Sequence, residues 1–320
     1  MNAVVGVDVG GTTIKAAVVD ESGAMVYRER RPTGQEHGPA EAVTRVVDLA
    51  AELAERAGTP AAVGIAALGL IDEANGVALY SANIGWRDVP MRDLVTARTG
   101  GIPVVLGHDI RTPALAEGLF GAGRGVPDFL LLPIGTGIAA AVVTGGRPYS
   151  GASGFGGELG HVAAYPDGEQ CACGQRGCLE TYASAASIQR RYLAAGGTPG
   201  LSTPDIIDRA EAGDPVAREV WEKALDALGI SIAGYTLLLD PSLVVLGGGL
   251  AAAGDRLIRP VAERVEARLA FRPPPRFARS TLGSWAAVLG AAILAWRAAG
   301  RDDIGADWSP PTDAWSTEAG

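Results

Sequence analysis

Cysteine is scarce in this sequence: there are three, Cys171, Cys173 and Cys178, all within eight positions. The chain start shows no basic flank or cleavage-site pattern, so a cytoplasmic location is expected. An odd, clustered count in that setting excludes a disulfide framework and leaves a metal site or free thiols. Long apolar runs are also missing. No stretch reaches the roughly 18 uninterrupted apolar residues of a spanning helix. Residues 138–143 are too few, and residues 286–296 have the length of an ordinary buried helix, so no membrane partner is expected. Lys and Arg form no cluster, and the net charge is −9 with the acids spread along the chain. A nucleic-acid footprint is therefore absent, although local backbone N–H groups can still bind a phosphate. Two nucleotide motifs are lacking as well. There is no Walker-A loop, and no Gly-x-Gly-x-x-Gly opens a helix with an acid about 20 residues on. No short repeat of solenoid spacing is visible.

What remains is a globular composition. Of 320 residues, 48% are hydrophobic and 20% charged, enough for a large core in one large or two ordinary domains. Residues 4–9 and 14–19 are apolar runs around Gly10-Gly11, which reads as a hairpin. Apolar residues at helical spacing mark a helix over 40–57. Residues 61–68 and 104–106 read as buried strands. Thr112-Pro113 has the cap and first-turn pattern of a helix reaching Phe120. Residues 129–133 and 138–143 flank Gly135-Thr136-Gly137 as a second hairpin. Asp214-Pro215 opens a long helix over 216–239. A strand over 243–246 runs into Gly247-Gly248-Gly249, and 286–299 is a final helix. Strands alternating with helices indicate the α/β class. From Arg301 the chain lacks periodicity, and a mobile end over 301–320 is expected.

The two glycine hairpins lie 125 positions apart, counted from Gly10 to Gly135, and suggest two related lobes closing on a cleft. A Gly10-Gly11-Thr12-Thr13 turn is either a plain hairpin or a nest of N–H and hydroxyl donors for an anion. Lys15 adds positive charge beyond it. Asp8 supplies a carboxylate that could hold Mg²⁺ through water. A second such turn and the run Gly247–Gly249 favour the anion reading, and nucleotide binding by an actin-like cleft fits better than a Rossmann site. His161 with Cys171, Cys173 and Cys178 supplies one nitrogen and three sulfurs, the ligand set of a closed tetrahedral zinc site. Reduced structural thiols are the alternative.

Gly156-Gly157-Glu158-Leu159-Gly160-His161, followed by Cys171-x-Cys173-Gly-x-x-Gly-Cys178-x-Glu180-x-Tyr182-x-Ser184, closely resembles the signature of the ROK family (repressors, uncharacterised frames and sugar kinases). Residues 7–15 resemble the family's first phosphate motif, 133–138 its second and 246–249 its adenosine motif. The resemblance implies a two-lobed actin-like (ribonuclease H-like) ATPase fold with a structural zinc loop. It implies a small lobe over 1–113, completed by 285–300, and a large lobe over 114–284. It makes Asp109 the general base for a sugar hydroxyl attacking the γ-phosphate of ATP, with Mg²⁺. It assigns Glu158, His161 and Glu180 to sugar hydroxyls, with Gly69 and Asn83 lining the same pocket. ATP would lie across Gly10–Thr13, Gly135–Gly137 and Gly247–Gly249. No N-terminal helix-turn-helix of the repressor type is expected. A homo-oligomer, dimer or tetramer, is.

One position departs from the family. ROK glucokinases commonly carry Asn-Asp at the catalytic position, and here the pair is His108-Asp109. The base is retained and one sugar contact is changed. The expected activity is ATP-dependent phosphorylation of a hexose at its 6-hydroxyl, with glucose as the default. A kinase of an amino sugar such as kanosamine or N-acetylmannosamine is the alternative, since an amine in place of a hydroxyl could suit His108 better. A non-catalytic sugar sensor is a third reading, which the retained Asp109 opposes.

Overall fold

The computed structural model describes residues 2–311. Within them lie two compact units, one of residues 2–125, 147–156 and 281–311, the other of 126–146 and 157–280. In chain order the first unit begins with β1 (Ala3–Val9), β2 (Thr13–Asp20), β3 (Met25–Pro32), α1 (Pro39–Ala57) and β4 (Val63–Ala67). It continues with β5 (Leu70–Asp72), β6 (Val77–Tyr80), β7 (Arg87–Val89), α2 (Met91–Arg98), β8 (Val104–His108) and α3 (Arg111–Phe120). The second unit opens with β9 (Phe129–Pro133) and β10 (Ala141–Thr144), and β11 (Arg147–Pro148) returns to the first. The second then adds α4 (Glu180–Ala183), α5 (Ala185–Ala194), α6 (Thr203–Glu211), α7 (Pro215–Leu239), β12 (Leu243–Gly247), α8 (Asp255–Glu266) and β13 (Arg276–Arg279). Helix α9 (Ala286–Ala298) belongs to the first unit.

The first unit is built on a sheet of order β3-β2-β1-β4-β8. The expected hairpin pairs β1 with β2 antiparallel, from Ala3↔Asp20 to Val9↔Ile14. β1 pairs β4, and β4 pairs β8, in parallel. Strand alternation sends Val5, Val7 and Val9 to a core shared with Val46, Leu49 and Leu53 of α1, and Val4 to a core shared with α3 and α9. On that second face α9 lies against the strand backbone itself. A Cβ on Gly6 would stand 2.4 Å from the Val288 carbonyl oxygen, and one on Gly64 1.9 Å from that of Ala291. Glycine in a strand here marks the close approach of another backbone.

The expected division at residue 113 falls inside α3, and the helix belongs whole to the first unit. Its Leu115, Ala116 and Phe120 share a core with Leu289, Ile293 and Trp296 of α9. Return to this unit begins at Thr281 rather than 285. Thr112 is not the helix cap: α3 starts at Arg111 with Ile110 in the cap position, and Thr112 is buried.

The end of the chain also differs from expectation. Ile304 and Trp308 are buried. The Trp308 indole N–H donates to the Glu21 carbonyl at 2.9 Å, and its ring meets Phe120 edge to face at 5.4 Å. Two apolar residues four apart, in a short polar stretch, carry too little pattern to show this docking in sequence. The segment through Pro311 is thus part of the first unit, and 312–320 lie outside the described residues. Trp308→Ala should cost about 3–5 kcal/mol, the usual loss for a buried tryptophan, read as a lower urea midpoint. An unchanged midpoint would mean that the segment adds nothing to stability.

In the second unit β10-β9-β12-β13 form the sheet, with β9/β10 antiparallel and β9/β12 and β12/β13 parallel. The long helix α7 starts as its sequence implies. The Asp214 carboxylate accepts the N–H groups of Val216 and Ala217 at 2.9 and 3.1 Å, with Pro215 in the first turn. Val220, Ala224, Leu228 and Ile232 of α7 join Leu130, Leu132, Val244 and Leu246 of the sheet in one core.

Candidate active site and metal centre

The cysteine segment curls back on itself. Cys171 N–H donates to the Gln175 carbonyl at 2.8 Å, and Gly177 N–H to that of Glu169 at 2.7 Å. His161 ends a short 3₁₀ turn, Leu159–His161, and Ala163 bridges antiparallel to Cys178. These bonds bring one ligand atom from each of His161, Cys171, Cys173 and Cys178 within 4.8 Å of one another. His161 Nδ1 is 3.8 Å from Cys171 Sγ, and Cys173 Sγ is 3.7 Å from Cys178 Sγ. A tetrahedron with Zn–S bonds of about 2.3 Å has edges of about 3.8 Å, so the four donors fit a closed zinc site. The thiols gain little from one another alone: burial first, then Cys173 and Cys171, push the Cys178 thiol up to about 12. A cation at the centre would offset that cost. Ligation through Nδ1 leaves His161 Nε2–H as a donor.

In the first unit the glycine turn is closed by Gly10 N–H donating to the Thr13 carbonyl at 3.0 Å. Buried Thr33 holds it from outside: its hydroxyl donates to the Gly10 carbonyl at 2.8 Å, and its N–H to that of Thr12 at 2.9 Å. Asn83 lies against Gly11, within 3.5 Å of where a Cβ would be, so two of the expected ligand positions meet. Gly69 has φ +92°, and a Cβ there would stand 2.1 Å from the Tyr80 carbonyl oxygen. Asp8 and Lys15 are cross-strand partners. Lys15 Nζ is 3.3 Å from Asp8 Oδ2 and donates to the Ser284 carbonyl at 2.9 Å. Burial raises the Asp8 carboxyl above its ordinary value against the pull of Lys15. Lys15 is thus engaged beside the turn rather than reaching into it.

Asp109 follows β8 directly, and its N–H donates to the Ala67 carbonyl at the end of β4 at 3.1 Å. His108 Nδ1 accepts the Ile110 N–H at 3.1 Å. The next residue, Arg111, is 6% exposed. It donates to Glu73 Oε1 at 2.9 Å and to the Gly154 carbonyl at 3.2 Å, tying two loops of the first unit to the Asp109 segment. Sequence reading missed Arg111, Glu73 and Thr33. A charged residue opening a helix of mostly apolar residues was the one available signal.

The second unit holds the rest of the expected set. Gly135 N–H donates to the Gly137 carbonyl at 2.9 Å. Glu180, first residue of α4, accepts the Ile138 N–H at 2.7 Å through Oε2, so the glutamate two residues past Cys178 abuts the second glycine turn. Gly247 accepts the Ile134 N–H, and Leu250 N–H donates to Ile134, both at 3.0 Å. Gly248 has φ +71°, and a Cβ there would lie 2.4 Å from the Ile134 carbonyl oxygen, which only glycine permits. The second and third glycine runs are therefore neighbours. A cavity of about 480 Å³ opens beside them, lined by Thr136, Gly249, Gln189, Ser202, Thr203 and Arg256. Glu158 lines a different, more apolar cavity of about 540 Å³ with Leu130, Val142, Ser231 and Tyr235. The expected sugar residues thus divide, with Gly69, Asn83, His108 and Asp109 in the first unit and Glu158, His161 and Glu180 in the second.

Among the described residues no helix is long and apolar enough to cross a membrane. Residues 4–298 match the ROK family model. A glucokinase of Thermotoga maritima is 37% identical over 275 residues, covering 82% of this chain and 86% of that protein. An N-acetyl-D-glucosamine kinase of Citrobacter koseri is 33% identical over 301 residues, 90% of this chain and 98% of that protein. A ROK glucokinase from Streptomyces griseus, solved with glucose and AMPPNP, superimposes with a TM-score of 0.79 at 31% identity, covering 92% of this chain and all of that one. The two sheets with their helices are the actin-like fold of these kinases. On a family match that takes in almost every strand and helix described above, the chain belongs to the ROK family.

Proposed function

We propose that this sugar kinase transfers the γ-phosphoryl group of ATP to the 6-hydroxyl of a hexose, with glucose as first candidate. The observation that carries this reading is the glucose- and AMPPNP-bound relative, similar over 92% of the chain, together with the Asp109 segment and three glycine turns described above. Asp109 takes the hydroxyl proton as the oxygen attacks phosphorus. The carboxylates of Glu158 and Glu180 accept from other hydroxyls, and His161 donates through Nε2–H. Gly69, Asn83 and His108 contribute from the first unit.

The turns at Gly10–Thr13, Gly135–Gly137 and Gly247–Gly249 present N–H groups to the phosphates. The adenosine occupies the cavity of about 480 Å³ beside Thr136 and Gly249. Mg²⁺, held through water by Asp8, would neutralise phosphate charge, and phosphoryl transfer asks for little more than such positioning and charge compensation. His161, Cys171, Cys173 and Cys178 would hold Zn²⁺, which would stiffen the loop that carries His161 and, two residues past Cys178, Glu180.

An N-acetylated amino sugar is the second reading, favoured by the Citrobacter relative. Coupled ADP release across a panel of hexoses and amino sugars, with NMR of the product, is the test. The expected result is sugar-dependent ADP formation and a 6-phosphate. No ADP with any sugar would sink the kinase reading and favour a sugar sensor.

A further inference from the structure

Solvent reaches the three cysteines unequally. Cys171 is 4% exposed and Cys178 0%, while Cys173 is exposed. Cys173 belongs to an exposed tip, residues 172–176, and Cys178 to a buried stretch, residues 177–179. Yet the two sulfurs are 3.7 Å apart. A disulfide between them needs about 2.05 Å. Gly174, next to Cys173, has φ +94° and nothing within 4 Å of where a Cβ would be, so the tip has room to close that distance. Cys171 is the poorer partner. A single residue separates it from Cys173, and so short a ring strains the geometry of the bond.

Resting on the reading that these donors hold Zn²⁺, we propose that Cys173 is an oxidation site, through which hydrogen peroxide empties the cluster and switches the kinase off. Cys173 Sγ attacks one peroxide oxygen and the O–O bond breaks. The other oxygen leaves as hydroxide and takes a solvent proton to become water. Cys173 is then a sulfenic acid. Cys178 Sγ attacks that sulfur, the S–S bond forms, and the hydroxyl departs, protonated by solvent, as a second water. The two thiolates lose two electrons together and the peroxide gains them. Only His161 and Cys171 remain as donors, too few for a closed site. The change reaches the substrate side through Cys178. Its carbonyl accepts the Thr181 N–H at 3.1 Å and the Thr181 hydroxyl at 2.7 Å, which fixes the start of α4 where Glu180 stands. Glu180 in turn accepts the Ile138 N–H. Drawing Cys178 toward the exposed tip slackens these bonds and displaces Glu180.

The test starts from intact protein purified under reducing conditions, with its zinc content measured. Limited alkylation should label Cys173 at least about tenfold faster than the other two cysteines. Hydrogen peroxide should release about one zinc per chain into a chromogenic chelator. It should also lower sugar-dependent ADP formation at least about tenfold, since small misplacements of a binding group are costly. A dithiol with added zinc should restore both. Arg176 lies between Cys173 and Cys178, so trypsin puts Cys178 on a different peptide from Cys171 and Cys173. After oxidation, mass spectrometry should find the two peptides joined through Cys173, with Cys171 still open to alkylation in the unfolded chain. Labelling that begins at Cys171 or Cys178, a link through Cys171, or peroxide that releases no zinc overturns the proposal. So does zinc release with activity unchanged. If the reduced protein holds no zinc as purified, the zinc reading fails, while the labelling order and the linkage still decide the role of Cys173. If no sugar yields ADP, the kinase reading fails, while zinc release and the linkage still decide it.

Discussion

Asp109→Asn should lower kcat by about 10²–10⁴-fold, the usual contribution of a positioned general base, and leave sugar affinity within a few-fold of wild type. The amide has the shape of the carboxylate but cannot take up the proton of the attacking hydroxyl. The surroundings should tolerate the exchange. The backbone at 109 is fixed by its N–H to the Ala67 carbonyl, and the amide can face His108 Nδ1 where Oδ1 does now, at 3.1 Å. The fall should therefore appear in kcat and kcat/KM alike, the pattern of an interaction made in the transition state. Single-turnover measurements with saturating ATP isolate the chemical step. Near-wild-type turnover would remove Asp109 from its role. A weakened sugar affinity with normal kcat would make it a binding residue instead.

Removal of the metal should have the second large effect. Purified protein is expected to hold about one zinc per chain by elemental analysis, since four protein donors close a single tetrahedral site. Stripping it with a chelator should lower the melting temperature by about 10 °C or more, because binding energy at such sites is also folding energy. The reason is local. Without a cation three thiols, two of them buried, face one another and His161, and the backbone bonds of the segment alone must hold them together. Activity should fall in parallel, because Glu180 lies two residues past Cys178 and its Oε2 accepts the Ile138 N–H of the second glycine turn. Cys178→Ser should reproduce the loss of metal and of stability. Chelated protein that melts and turns over as before would show that the loop stands without its ion.

Much of this molecule could be read residue by residue from neighbours in sequence. The hairpin at Gly10-Gly11, the capped start of α7 at Asp214-Pro215 and the dense cysteine spacing are local patterns. Each depends on torsional freedom, a side chain reaching its own backbone, or ligands a few residues apart. The metal cluster was legible to the same depth, since His161, Cys171, Cys173 and Cys178 lie in one short segment and meet in the fold.

The remainder came from residues far apart in the chain. Nothing near Gly6 or Gly64 announces that carbonyls of α9 pass within 2.4 and 1.9 Å of where their Cβ atoms would be. Trp308 looks like part of a polar tail until Glu21, 287 positions earlier, accepts its indole N–H. Arg111 reads as a surface charge until Glu73 and the Gly154 carbonyl enclose it. Sequence by itself determined the glycine turns, the Asp214 cap and the ligand types, because short-range sterics and hydrogen bonding act within a few residues. Tertiary structure alone decided the close helix–strand approach and the docked end of the chain, because each arises from groups that meet only when the chain is folded.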